Sequence, residues 1–303
     1  MWFRKMLKGI TCRAMRRFDA KCERGATLPN GVTAVTDVPY GEDKAETLDF
    51  YYPDGGEDLP LIVDIHGGGL VYGTKENNKR FCYALALQGY CVANINYGLA
   101  PEYTFVEQVR QTCKAVAFAQ KNAPHTEKKE LKTVIAGDSA GALLALLADG
   151  AAKTETVRSA YGLDGMCGAA ADGLFLISGM YSFTSKRING LAGLSIGKGK
   201  GAWRDFTDLG RLFDVYTPPK IFMTSSDGDF LRKSTERFAE LLTERGYPFK
   251  LDYKPKKNAD GEKYIHIYPV KFPEWEECKK LLRTANAVLR ADCYISRALQ
   301  SII

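Results

Sequence analysis

The sequence predicts an α/β fold in which a mostly parallel sheet is covered by helices on both faces. Three observations predict it. Short apolar runs alternate with longer amphipathic segments along most of the 303 residues. Several of the short runs have no polar face, as strands buried on both sides do not. The chain is also long enough to bury a large core within one domain. That domain is expected over residues 46–303, preceded by an N-terminal region over 1–45.

At the start, Trp2, Phe3, Met6, Leu7, Ile10, Ala14 and Phe18 recur at helical spacing with basic residues between them, which makes a basic amphipathic helix. Most such helices turn their apolar side to the core, and that reading is preferred. The alternative is that residues 1–18 lie on an anionic membrane surface. A secretory signal is not expected, because charges interrupt the apolar positions and no small-residue cleavage site follows.

Residues 26–46 are rich in turn formers and read as irregular connection with one edge strand. Leu48–Pro53 alternates like a strand, and Leu61–Ile65 is the next, ending in His66-Gly67-Gly68-Gly69. Glu76–Tyr90 reads as a helix and Cys91–Tyr97 as a strand. Phe105–Asn122 is a helix with Val106, Val109, Cys113, Val116 and Ala117 on one face. Leu131–Ala136 is a strand, and Ala142–Ala148, made of strong helix formers without a polar face, is a buried helix. Strands at Leu174–Ser178, Ile221–Ser225 and Phe249–Tyr253 and helices at Ser234–Arg245 and Pro273–Arg290 complete the pattern. Gly179–Thr217 breaks the rhythm. Excursions of this length tend to be lids or binding loops, and Trp203 and Phe206 within it are expected to pack over something.

The net charge is +6, and residues 1–25 hold eight basic side chains against Asp19 and Glu23, so the rest of the chain is balanced. A nucleic-acid partner is not expected, since no basic face marks the folded domain. No stretch reaches the length of a membrane-spanning helix. The eight cysteines are scattered singly, which favours reduced thiols and a cytoplasmic setting over a disulfide framework. With three histidines and no cysteine cluster, no metal site is expected.

Chemistry concentrates at Gly137-Asp138-Ser139-Ala140-Gly141, placed between a strand and a buried helix. A turn of this kind holds the serine at positive φ and lifts its hydroxyl off the sheet, and it leaves no room for large side chains two residues to either side, where Gly137 and Gly141 stand. The Ala140 amide then points where an oxyanion would form. Three successive glycines after the Leu61–Ile65 strand suit a loop that presents bare amides, with Gly68 and Gly69 as the further donors. Phosphate binding would require a Gly-x-x-x-x-Gly-Lys spacing, which is absent.

A serine nucleophile needs a base, and the base needs an orienting group. His66 belongs to the glycine loop, where a shaping role suits it better. His125 lies beside a charge run and should be exposed. His266 occupies a late loop before the last helix and is assigned as the base. The acid should follow the Ile221–Ser225 strand, where Asp227 and Asp229 both stand, and spacing alone does not separate them. The order serine, acid, histidine is that of α/β-hydrolases.

With His66-Gly67-Gly68-Gly69, Tyr97–Glu102, Gly137–Gly141, Asp229-Phe230-Leu231 and the region of His266 in this order, the chain resembles the α/β-hydrolases similar to hormone-sensitive lipase, in their bacterial carboxylesterase branch. The resemblance spans roughly residues 46–298. It implies that Asp229, in an Asp-x-Leu motif, is the acid, that Gly68, Gly69 and Ala140 supply the oxyanion amides, and that the N-terminal helix forms part of a cap, to which the 179–217 insertion, by its length, is expected to contribute. Gly98 stands where the family usually has arginine, and Lys254–Lys263 lengthens the interval before His266. The activity implied is hydrolysis of short- to medium-chain acyl esters without a cofactor. An acetyl-sugar deacetylase, a peptidase, a membrane-surface lipase and a non-catalytic receptor on the same fold are the alternatives.

Overall fold

The computed structural model describes residues 12–13, 15–126, 132–163, 165–181 and 201–290. Most of the expected basic helix, Leu131 and the glycine-rich part of the 179–217 insertion therefore lie outside the described residues.

Eight strands form one sheet: β1 (Val32–Pro39), β2 (Thr47–Pro53), β3 (Leu61–Ile65), β4 (Cys91–Ile95), β5 (Thr133–Asp138), β6 (Gly173–Ile177), β7 (Lys220–Ser226) and β8 (Phe249–Lys254). Their order is β1-β2-β4-β3-β5-β6-β7-β8. β2 runs antiparallel to both neighbours, and β3 to β8 are parallel.

Alternation along the central strands divides the core in two. Val63, Ile135, Leu174 and Met223 belong to one apolar cluster, which holds residues of the helices Phe105–Asn122, Ala140–Lys153 and Arg232–Glu244. Ile62, Val134, Phe175 and Phe222 belong to the other, with the helices Lys79–Ala86 and Glu276–Arg290. Each strand is thus buried on both sides, which is why its sequence carries no polar face.

The Phe105–Asn122 helix starts where Thr104 accepts from the Glu107 amide and the Glu107 carboxylate accepts from the Thr104 amide, a capping box. The helix expected over Glu76–Tyr90 is shorter. It consists of a 3-10 turn, Lys75–Asn77, and the helix Lys79–Ala86, and the chain then turns through Gly89 at φ 86°. Trp203 and Phe206 are buried, and Trp203 packs 5.8 Å from the Phe105 ring.

Residues 12–13 and 15–22 are helical. Cys12 and Asp19 are buried and Met15 and Cys22 half-buried, one stripe at alternating spacings of three and four. Tyr72 donates to Asp19 at 2.7 Å, the Lys271 ammonium lies 2.8 Å from the same carboxylate, and Arg80 donates to the Cys22 carbonyl at 2.6 Å. The helix is therefore docked, but Phe18, expected on its packed side, is 41% exposed. The stripe that carries Asp19 faces inward because that carboxylate meets half-buried Tyr72 and buried Lys271 there.

Candidate active site

The parallel strands β3, β5, β6, β7 and β8 end at one edge, and the residues predicted for the site gather there. Register places Ile65 beside Gly137 and Asp138 beside Ile177, so the glycine loop after β3 and the turn after β5 are neighbours.

Ser139 has φ 52° and ψ −114° at the N-terminus of the Ala140–Lys153 helix. Its amide donates to the Ile177 carbonyl at 2.8 Å, and its carbonyl accepts from Met180 at 2.9 Å. The flanking glycines are a steric requirement. A Cβ at Gly137 would lie 2.4 Å from the Gly141 carbonyl oxygen, and one at Gly141 would lie 1.9 Å from that of Ile65.

His266 Nε2 lies 3.0 Å from Ser139 Oγ, and its Nδ1 lies 2.7 Å from Asp229 Oδ1. Asp229 is 1% exposed. Leu231 N–H donates to its Oδ1 at 2.8 Å and Ser225 Oγ to its Oδ2 at 2.9 Å. Burial alone would raise this carboxyl, but the hydrogen bond and charge of His266, the Leu231 amide and the Ser178 side chain together hold it below the ordinary carboxylate value. Asp227 is exposed and accepts from Tyr253 at 3.2 Å. Of the two aspartates after β7, the structure brings Asp229 to the histidine.

The other two histidines are elsewhere. His125 is exposed beside Tyr52. His66 is buried, stacks on Tyr97 with ring centroids 4.4 Å apart, and its Nδ1–H donates to the Gly67 carbonyl at 2.8 Å. Burial lowers its pKa to about 4, so the ring is neutral and braces the loop.

Gly68 and Gly69 have φ of 107° and 61°, and a Cβ at Gly68 would lie 2.0 Å from the Tyr72 carbonyl oxygen. Among the described residues, the amides of Gly68, Gly69 and Ala140 donate to no backbone carbonyl of a turn, loop or cap. Such an arrangement is able to bind an oxyanion. Among the described residues no group of three or more His, Cys, Asp and Glu side chains is placed to hold a metal ion.

Several features escape the sequence reading. Asp138 accepts from Gly67 N–H at 3.0 Å, which ties the turn to the glycine loop, and from Asn78 at 2.8 Å. Asn78 donates also to buried Asp64 at 2.8 Å. Phe230 is 73% exposed, its ring 4.2 Å from that of His266. Ser178 Oγ accepts from Ile267 N–H at 3.2 Å, which anchors the chain just after His266. A charged residue within an apolar five-residue strand was a signal for Asp64. Asn78 and Ser178 had none. In the lengthened interval before His266, Lys257 pairs with Lys263 as a short antiparallel bridge.

Gly98, where the resemblance implies arginine, lies under Tyr103. A Cβ at this position would stand 2.3 Å from the Tyr103 ring, whose hydroxyl donates to Asp43 at 2.6 Å.

A family model described as BD-FAE matches residues 48–172. Kynurenine formamidase of Danio rerio is 30% identical over 146 residues, 48% of this chain and 45% of that relative. An acetyl esterase of Salmonella paratyphi B is 31% identical over 115 residues, 38% of this chain and 34% of that protein. The chain thus spans less than half the length of the curated relatives it matches. Esterase B from Lactobacillus rhamnosis superposes with a TM-score of 0.85 at 19% identity, covering 95% of this chain and 97% of that one. An esterase from the bacterial hormone-sensitive lipase family gives 0.72 at 18%, covering 91% and 89%. These likenesses show the α/β-hydrolase fold, and the resemblance read from the motifs holds at that level.

Proposed function

We propose that this chain, an α/β-hydrolase in fold, is a cofactor-independent serine carboxylesterase acting on small acyl esters. The observation that carries the reading is the hydrogen-bonded run from Ser139 through His266 to Asp229, with 3.0 and 2.7 Å contacts. In this reading His266 Nε2 takes the Ser139 proton as Oγ attacks the ester carbonyl. Asp229, held ionised by its surroundings, keeps the imidazole in the tautomer with Nδ1–H and stabilises the imidazolium. The Gly68, Gly69 and Ala140 amides receive the tetrahedral oxyanion, His266 returns its proton to the leaving alcohol, and water cleaves the acyl-enzyme with His266 again as base. The packed aromatics Trp203 and Phe206 and the docked N-terminal helix are proposed as parts of a cap. Cys22, Cys82, Cys91, Cys113, Cys167 and Cys278 are free thiols, which supports a cytoplasmic setting.

The esterases among the structural neighbours and the acetyl esterase relative support this chemistry. One neighbour is described as inhibited by a tributyrin phosphonate, which supports a short acyl chain. The formamidase relative gives a second reading, hydrolysis of an N-formyl amide by the same groups. The test is hydrolysis of p-nitrophenyl esters from acetate to palmitate, with formanilide alongside, by wild type and Ser139→Ala. Turnover of short esters by wild type alone supports the reading, and the chain-length optimum separates esterase from lipase. Turnover of formanilide in preference to every ester favours the second reading. No turnover of any substrate removes both.

A further inference from the structure

We propose that the outward face of the N-terminal helix is a docking surface for a membrane of anionic phospholipid. Arg13, Arg16, Arg17, Lys21 and Arg24 are all exposed, and Phe18, also exposed, lies among them. The first 25 residues hold a surplus of positive charge equal to that of the whole chain, so this segment of the sequence, to which the five cations belong, is where the protein departs from neutrality.

The fold sharpens that asymmetry. The two acidic residues of the segment do not share the face. Asp19 is turned inward, its charge matched by Lys271 at 2.8 Å and one oxygen bonded by Tyr72 at 2.7 Å. Both carboxylate oxygens of Glu23 are buried. Beyond the helix, Lys271, Arg80 and Lys79 lie near enough for their charges to act on Glu23, while exposed Glu76 and Glu274 pair with Lys79 at 3.6 Å and Arg80 at 2.7 Å. Asp19 is thus spent in an inward contact and the Glu23 oxygens are shut away from solvent, so neither acid of the segment cancels the charge of the outward face.

An exposed cationic helix face attracts any polyanion. Phe18 decides the partner, because an apolar ring surrounded by arginines can insert at the boundary between headgroups and acyl chains while the guanidiniums meet the phosphates. The position suits that partner as well. The inward stripe of the helix is held by Tyr72, in the chain that leaves the glycine loop, and by Lys271, in the chain that leaves the His266 loop. Docking through the outward face would hold the protein at a lipid surface through the segment anchored to both loops of the site. The surface itself does not depend on the esterase reading. Its consequence, that the substrate is an ester presented at an anionic lipid surface, rests on that reading.

The test is co-sedimentation of the full chain with vesicles of phosphatidylcholine alone or with 30% phosphatidylglycerol, at low and high salt. Ser139→Ala is used for binding, so that vesicle attachment is read without catalysis. Binding to the anionic vesicles, weakened by salt and absent with phosphatidylcholine, is expected. Replacing the five exposed cations by glutamine should weaken it by roughly a hundredfold or more, since each cation near an anionic surface contributes several-fold. Phe18→Ser should weaken it with the salt dependence preserved, and the circular dichroism of both variants should match that of the parent protein. Equal binding of wild type and the five-glutamine variant, or no binding at low salt, overturns the proposal. So does tighter binding to a single-stranded oligonucleotide than to the vesicles. Vesicle binding without ester turnover in the wild type would leave the surface standing and remove the esterase reading.

Discussion

Replacing Asp64 by asparagine is expected to stabilise the protein, and to do so increasingly as pH rises. Asp64 lies in β3, fully buried, with Oδ2 accepting from Asn78 at 2.8 Å and from the Cys82 thiol at 3.7 Å. Its Oδ1 has no partner among the described residues. Burial first, and then the neighbouring charge of Asp138, raises its pKa from 3.8 to about 7. The folded protein therefore keeps a proton that the unfolded chain has released, and folding stability falls as pH climbs from about 4 to about 7 and stays low above. A difference of that size corresponds to about 4 kcal/mol. Asparagine has no proton to lose and still offers an oxygen to Asn78, at the cost of about 1 kcal/mol for a weaker hydrogen bond. Asp64→Asn should thus gain roughly 2–3 kcal/mol at pH 8 and little at pH 4.5. Urea unfolding followed by tryptophan fluorescence at pH 4.5, 6 and 8 measures the difference directly, provided the denaturant slope is unchanged. A gain that does not grow with pH, or a loss at pH 8, would refute the reasoning.

Other expectations concern the site and its supports. Ser139→Ala and His266→Ala should lower kcat/KM by about 10⁴ without unfolding, and Asp229→Asn should act likewise, whereas Asp227→Asn at the exposed position should be mild. The opposite ranking of the two asparagine variants in a steady-state assay would assign the acid to Asp227. Gly141→Ala should fail to accumulate as folded protein by circular dichroism, since its Cβ would stand 1.9 Å from the Ile65 carbonyl oxygen and both are held by neighbouring elements. Lys271→Met leaves the Asp19 carboxylate buried without its cation and should cost about 3–5 kcal/mol in chemical unfolding, while Asp19→Asn in the same chain should restore much of it. Gly98→Arg should lower Tm through collision with the Tyr103 ring, an overpacking cost of about 1–3 kcal/mol, and a second change, Tyr103→Ala, should relieve it.

What the sequence disclosed and what it withheld divide along a physical line. The Phe105–Asn122 helix was legible to the residue because its start is set by a local capping box and its end by Ala123-Pro124. Ser139 was legible because a strand, a glycine-flanked turn and a buried helix are all local signals. Asp229 was not separable from Asp227 by spacing, because the choice depends on which carboxylate faces the histidine loop. Gly228 lets that loop approach closely, for a Cβ there would lie 2.3 Å from the Tyr264 carbonyl oxygen. Phe18 was misplaced for a related reason. Periodicity identifies an apolar stripe, but the inward orientation of the helix follows the buried Asp19 and its distant partners Tyr72 and Lys271.

The pairing of Asp64 with Asp138 shows how far sheet order can extend such reading. Neither residue announces the other, but β3 and β5 are parallel neighbours with Ile65 beside Gly137. Residues that alternate with that pair point to the opposite face on both strands, so Asp64 and Asp138 emerge on one side of the sheet, under the Lys79–Ala86 helix that Asn78 caps. There a single amide group donates to both carboxylates. One of those carboxylates also accepts from the Gly67 amide, so the pair that weakens the fold at alkaline pH also fixes the base of the glycine loop. Once strand order is known, the meeting of the two acids follows from the pleat alone, and their cost in stability follows from burial.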